Sequence, residues 1–338
     1  MDPMRICFVA LLALAVSACE TSKPPIPISN DGSPIQGAFF RAVDAPGAPA
    51  GNLFSVWGDR EGAVWAVGEK GLIAKLHEGR WEVAEPLTGE DLRSVWGRAS
   101  DDVWAVGTNG TILHYSKREA LPEEDPAEIL PEWTLEASPT DLDLNAVAGG
   151  GGKLYAVGQS GAILSHDEEA GWTLLEDGPT IETINGLYVD GGGRAVAVGN
   201  LGLLLRSAED GGWWRQRLDG VNQPLRAVWG VDADRFYMVG LDGTILRANG
   251  DDELVQVPGA PKVFLRGIFG TSMGDVWIVG WGGTVLHLDG SRATPIDPIA
   301  TDRRLEGVWG RWVVDPETEE ARPHFHLVGV NGTVLHGP

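Results

Sequence analysis

Leu92-Arg93-Ser94-Val95-Trp96-Gly97, Asp102-Val103-Trp104-Ala105-Val106-Gly107 and Gly110-Thr111-Ile112-Leu113-His114 follow one another with only short gaps. Each run is short, rich in β-branched and aromatic residues, and closed or opened by glycine. Such runs, punctuated by Gly, Asn and Asp, read as strands joined by tight turns. A fourth run starts at Trp133. The same pattern starts again at Leu53, Leu144, Ile184, Leu225, Leu265 and Leu305, making seven copies. Successive starts lie 39, 52, 40, 41, 40 and 40 residues apart. A period near 40 residues with four strands per copy is the signature of a propeller blade. The expected fold is therefore all-β: a seven-bladed β-propeller of four-stranded blades.

Details inside the repeat support this reading. The residue two after each leading Leu or Ile is small: Ser55, Ser94, Ala146, Gly186, Ala227, Gly267 and Gly307. First strands that converge on an axis leave little room for side chains. The strands are nearly continuous apolar runs, as expected where neighbouring blades cover both faces. Eleven of the fourteen Trp fall at repeated positions: 57, 96, 229 and 309; 65, 104 and 277; 81, 133, 172 and 214. Recurrence in one slot of blade after blade points to packing between blades rather than to a carbohydrate platform.

The seventh copy stops at Pro338, after its third strand. The run Ala38-Phe39-Phe40-Arg41-Ala42-Val43 resembles a fourth strand such as Trp81-Glu82-Val83-Ala84. It is expected to complete the seventh blade and so remove an open sheet edge.

Residues 1–18 differ in composition from the rest. Ile6 to Ala15 form an apolar core too short to span a bilayer; with small residues after it, this reads as a secretory signal starting at Met1 or Met4. Val16-Ser17-Ala18-Cys19 resembles a bacterial lipobox. That resemblance implies cleavage before Cys19, acylation of its thiol (palmitate) and its amine, and, with Glu20 next, outer-membrane anchoring. Residues 19–37, rich in Pro, Ser and Gly, read as a flexible tether, and residues 38–338 as one propeller domain. With Cys7 removed and Cys19 lipidated, no thiol remains for a disulfide.

The net charge is −22, which argues against nucleic acid and anionic lipid as direct partners. No P-loop, G-x-S-x-G elbow, H-E-x-x-H or calcium-loop motif occurs. No catalytic residue, cofactor or metal is expected. His324 and His326 form an H-x-H pair that can share one face of a strand and offer two metal ligands, or stand as two edge residues.

Ser207-Ala208-Glu209-Asp210-Gly211-Gly212-Trp213 and Ser165-His166-Asp167-Glu168-Glu169-Ala170-Gly171-Trp172 come near the Asp-box pattern S-x-D-x-G-x-x-W. The copies resemble BNR/Asp-box propellers, the photosystem assembly-factor propellers and, most closely, V-W-A-V-G repeat lipoproteins of myxobacteria and relatives. The resemblance implies architecture and no activity.

The candidate partner-binding face surrounds the channel mouth. Arg93, Arg226 and Arg266 each follow a leading Leu, Arg304 precedes one, and Trp281 lies in a turn on the same side. Convergent arginines suit a carboxylate or phosphate; ion pairing inside the fold is the alternative. The expected function is a monomeric, non-catalytic scaffold for envelope proteins, with a glycan-binding or glycan-cleaving propeller as the second reading.

Overall fold

The computed structural model describes residues 40–42, 47, 49–117, 130–208, 211–250, 253–297, 301–314 and 321–337. The signal, lipobox and tether assigned to residues 1–37 lie outside them. So do residues 118–129, within the longer second copy, and residues 315–320.

The described strands form seven four-stranded antiparallel sheets. Six are simple meanders, such as Leu53–Gly58, Val64–Gly68, Ile73–His77 and Arg80–Val83 in blade 1. In blade 7, Leu305–Val314, Ala321–Gly329 and Val334–Gly337 are followed outward by Arg41–Ala42. Its register is Arg41 opposite His336 and Ala42 opposite Leu335. The first two strands of blade 7 are longer than in the other blades, paired out to Val314 opposite Ala321. First strands touch in an unbroken cycle from blade 1 through blade 7 and back. Among the described residues there is no α-helix.

Crowding at the axis explains the small residues of the first strands. A Cβ on Gly186 would lie 2.8 Å from the Arg226 carbonyl oxygen, and one on Gly267 2.8 Å from that of Glu306. Ser55 and Ser94 use the same proximity to accept hydrogen bonds from the amides of Val95 and Val147 in the next blade.

Two aromatic layers join the blades. Trp57, Trp96, Trp229 and Trp309 lay their indoles over Gly97, Gly149, Gly270 and Gly58 of the next blade; a Cβ at any of these glycines would fall within 2.5–2.7 Å of an indole carbon. Blade 4 carries Val189 in place of this glycine, and blade 3 accordingly carries Ala148 in place of the tryptophan, the two sharing one apolar cluster. Further out, the strand-two ring of one blade meets the strand-four ring of the next edge-on. The pairs are Trp65 with Trp133 at 5.4 Å, Tyr155 with Trp213 at 5.5 Å, and Trp277 with Phe40 at 5.6 Å. This corrects the assignment of Trp214 to the strand-four slot. Trp213 occupies it, opposite Ser207, and Trp214 is exposed.

Candidate functional site at the channel mouth

Each strand-two to strand-three connection is a tight turn whose middle residue has positive φ: Lys70, Asn109, Ser160, Leu201, Asp242, Gly282 and Asn331. The glycine after it is obligatory. At Gly110 φ is +65° and a Cβ would lie 1.8 Å from the Thr140 carbonyl oxygen. In every blade the first turn residue donates its N–H to the carbonyl just before the leading Leu or Ile, as Glu69 does to Asn52 and Trp281 to Phe264. These bonds fix the turns and the inter-blade crossovers on one face, called here the upper face.

The first strand enters from that face with an irregularity. In all seven blades the register slips between the leading residue and the residue two later. The residue between them is left out of the ladder, and a bulge of this kind re-aims a side chain. The seven residues so placed are Phe54, Arg93, Asn145, Asn185, Arg226, Arg266 and Glu306. Reading the arginines singly missed their companions Asn145, Asn185 and Glu306; aligning the position after each leading residue would have found them.

Three guanidiniums and one carboxylate therefore share this slot, and they are not equally satisfied. Arg93 donates to Asn145 Oδ1 at 2.7 Å and pairs with Asp143 at 3.0 Å. Arg266 pairs with the buried Glu306 at 2.5 Å, and Arg304 grips the other oxygen of the same carboxylate. The asparagines hydrogen-bond to backbone, Asn145 Nδ2 to Ile184 O and Asn185 Nδ2 to Leu225 O, each 2.8–2.9 Å. Internal pairing thus accounts for Arg93, Arg266 and Arg304.

Arg226 is different. It is partly buried, and its hydrogen bond goes to the Asn185 carbonyl at 2.7 Å. Among the described residues it has no carboxylate partner. Desolvation, then the charges of Arg266 and Arg93, pull it below the ordinary guanidinium value to about 10, against an opposing pull from Glu306. It remains charged at neutral pH. The same interactions show that blades 2, 5, 6 and 7 bring charge to a common space.

An aromatic path leads from this ring to the rim. The Arg266 guanidinium lies 5.1 Å over the Phe264 ring, and Phe264 lies 5.9 Å from Trp281. Trp281 is 47% exposed, and among the tryptophans only Trp214, far out on blade 4, is exposed as well. Arg303, beside Arg304, donates to the Asn331 carbonyl at 3.0 Å. Trp312, at the opposite end of blade 7, hydrogen-bonds towards blade 6 through Thr271 and Asp275. Cys19 lies outside the described residues.

His324 and His326 are not edge residues. They lie on the second of four strands, and the third strand brings His336 opposite His326. Among the described residues no group of three or more side chains is disposed to hold a metal ion.

No family model and no curated protein matches the chain. Solved structures of low identity share its fold. YCF48 bound to a D1 peptide matches with 18% identity and TM-score 0.62, covering 94% of this chain and 99% of that one. Virginiamycin B lyase from Staphylococcus aureus matches with 12% identity and TM-score 0.69, covering 88% and 98%. The WD40 propeller domain of Doa1 matches with 14% identity and TM-score 0.63, covering 88% and 96%. A protein with a bound peptide, a lyase and a WD40 domain on one architecture leave the site itself as the guide to function.

Proposed function

We propose that this protein is a non-catalytic, monomeric interaction propeller whose upper face receives an acidic segment of a partner protein. The observation that carries this reading is Arg226. It is a desolvated cation at the channel mouth, without a carboxylate of its own, in the field of two further guanidiniums. Such a group is stabilised when a partner supplies the missing negative charge. Trp281, exposed at the rim and linked through Phe264 to Arg266, would provide the aromatic anchor beside it. YCF48, a neighbour of the same fold, holds a D1 peptide, so this architecture supports peptide binding.

A glycan-cleaving propeller would need paired carboxylates at the mouth. The slot contains one, Glu306, held by two arginines, and this favours the interaction reading. The lipobox at Val16 to Cys19 supports a location at the cell envelope, with the propeller tethered to the outer membrane. The placement of Phe40 against Trp277 supports a closing role for the N-terminal strand.

The test is recovery of partners from detergent-solubilised envelope with the parent protein and with the Arg226→Ala, Arg266→Ala double variant. The reading expects a salt-sensitive partner that the double variant loses. A partner retained equally by both would remove its basis.

A further inference from the structure

Blade 7 departs from a pattern that four of the other six blades follow; blade 3 pairs Tyr155 with Ser165 and blade 4 Val196 with Arg206. Strands two and three pair Trp65 with Lys75, Trp104 with His114, Tyr237 with Arg247 and Trp277 with His287. Each is one aromatic ring beside one basic group. The Lys75 ammonium lies 4.7 Å from the Trp65 ring centre, and His114 stacks on Trp104 at 4.1 Å. In blade 7 both members of the pair are histidines, His326 opposite His336. Their ring centres are 5.0 Å apart, and His324, two residues from His326, is 5.2 Å from His336. His326 is 9% exposed and stacks on Trp309.

We infer that His324, His326 and His336 form an acid-sensitive latch whose protonation opens the outer half of blade 7. The opening unit is the strand Val334–Gly337 with the segment at 40–42 paired to it. The reason is crowding of like charge. Three imidazoles this close cannot all be protonated without mutual repulsion, and the fixed charge nearest them is also positive. Arg311, opposite His324 in the ladder, adds its guanidinium and donates to the Arg60 carbonyl of blade 1. The blade 1 loop it touches carries Arg60, Glu61 and Asp59, and Asp59 Oδ1 is already taken by three backbone amides. On the outer side, Arg41 is the backbone partner of His336. The opposite face of the blade is apolar, with Phe325 against Trp277 and Phe40 against Gly337. Among the described residues the charges that act on His326 are those of His336, His324 and Arg311, all cationic when charged, whereas His114 in blade 2 is held between the carboxylates of Asp102 and Glu136.

Burial first, then the neighbouring imidazoles and Arg311, hold His326 down to about 3; His324 and His336 also lie below the ordinary imidazole value. The folded cluster therefore stays neutral while an opened strand, with pKa values near the ordinary 6.5, takes up protons. The latch is indifferent to pH above about 6.5 and weakens as pH falls below it. The outer segment holds Val334–Gly337 through a two-residue pairing, so local opening is easier than unfolding the ring.

Hydrogen exchange of the full chain, read by mass spectrometry at pH 7.5 and 5.0 and corrected for intrinsic exchange, tests this inference. Protection of residues 40–42 and 334–337, relative to Leu305–Gly310, is expected to fall at least tenfold at pH 5.0. In the His326→Tyr, His336→Arg double variant, which copies the blade 5 pair, the relative fall is expected to disappear. His336→Gln alone, which keeps the strand polar but removes one charge, should at least halve it on a logarithmic scale. Equal relative protection at both pH values, a loss spread evenly over all blades, or an undiminished fall in either variant that folds at pH 7.5 would overturn the inference.

Discussion

Phe40 meets Trp277 edge-on, with ring centres 5.6 Å apart and planes at 76°, although 237 positions separate them in the chain. Trp133 meets Trp65 in the same way at 5.4 Å, so Phe40 fills in blade 7 the slot that tryptophan fills in blade 2. The aromatic is buried, and a Cβ on Gly337 would strike its ring at 2.4 Å. One glycine and one phenylalanine together shape the socket.

That socket makes the N-terminal strand testable. Phe40→Ala removes a fully buried ring and should cost roughly 3 kcal/mol. Deleting residues 37–43 should cost more, since strand pairing is lost as well. Urea or thermal unfolding checks both. A deletion variant as stable as the parent would show that the ring is held by its first strands alone.

The exchange of Trp and Gly for Ala148 and Val189 is a second prediction. Ala148→Trp should destabilise by about 1–3 kcal/mol, because Val189 now occupies the space. Adding Val189→Gly restores the arrangement seen at Trp96 over Gly149. The double variant should recover more than about 1 kcal/mol relative to the sum of the single changes. A double-mutant cycle measured by chemical denaturation gives the coupling directly, and simple additivity would mean that the two sites do not compensate each other.

His114 predicts a pH dependence of the opposite sign to blade 7. Its Nε2 lies 2.8 Å from Asp102 and its Nδ1 2.9 Å from Glu136, and Glu136 also accepts from Trp172 of blade 3. Burial opposes protonation, but the hydrogen bonds and charges of the two carboxylates outweigh it and raise the value to about 9. A folded pKa above the unfolded 6.5 gives stability that is complete below pH 6.5 and lost as pH rises through 9. The difference in unfolding free energy between the parent and His114→Gln should shrink by on the order of 2 kcal/mol between pH 6 and 9.5. A constant difference over that range would contradict the assignment.

The envelope anchor makes a separate prediction. Cys19→Ser should shift the protein out of the membrane fraction or leave an unprocessed precursor. Mass spectrometry of the mature N-terminus should find acyl chains on the parent. An unmodified N-terminus with unchanged fractionation would refute the lipobox reading.

How much of this was written in the sequence depends on the kind of feature. Slots that recur in every copy, such as the small residue of Ser55 and Gly267, were legible because one crowded axis imposes one demand seven times. The bulge that presents Arg226 and Glu306 was not, since its register slip leaves no composition signal, only a shared offset. Trp213 and Trp214 adjoin, and only strand pairing tells which faces inward. The histidine cluster was hidden because His336 joins His326 through a ladder, not through local spacing. Arg226 stands out only once the partners of Arg93 and Arg266 are known.

The measurement that bears most directly on the proposed interaction is site-specific photocrosslinking in intact cells. A photoreactive phenylalanine analogue replaces Trp281 on the upper face or, separately, Leu135 on the outer strand of blade 2, both exposed. The account predicts a discrete adduct from position 281, lost with Arg226→Ala and Arg266→Ala, and none of matching mass from position 135. Adducts that form from position 135 but not from 281, or an adduct at 281 that survives both arginine changes, would contradict it.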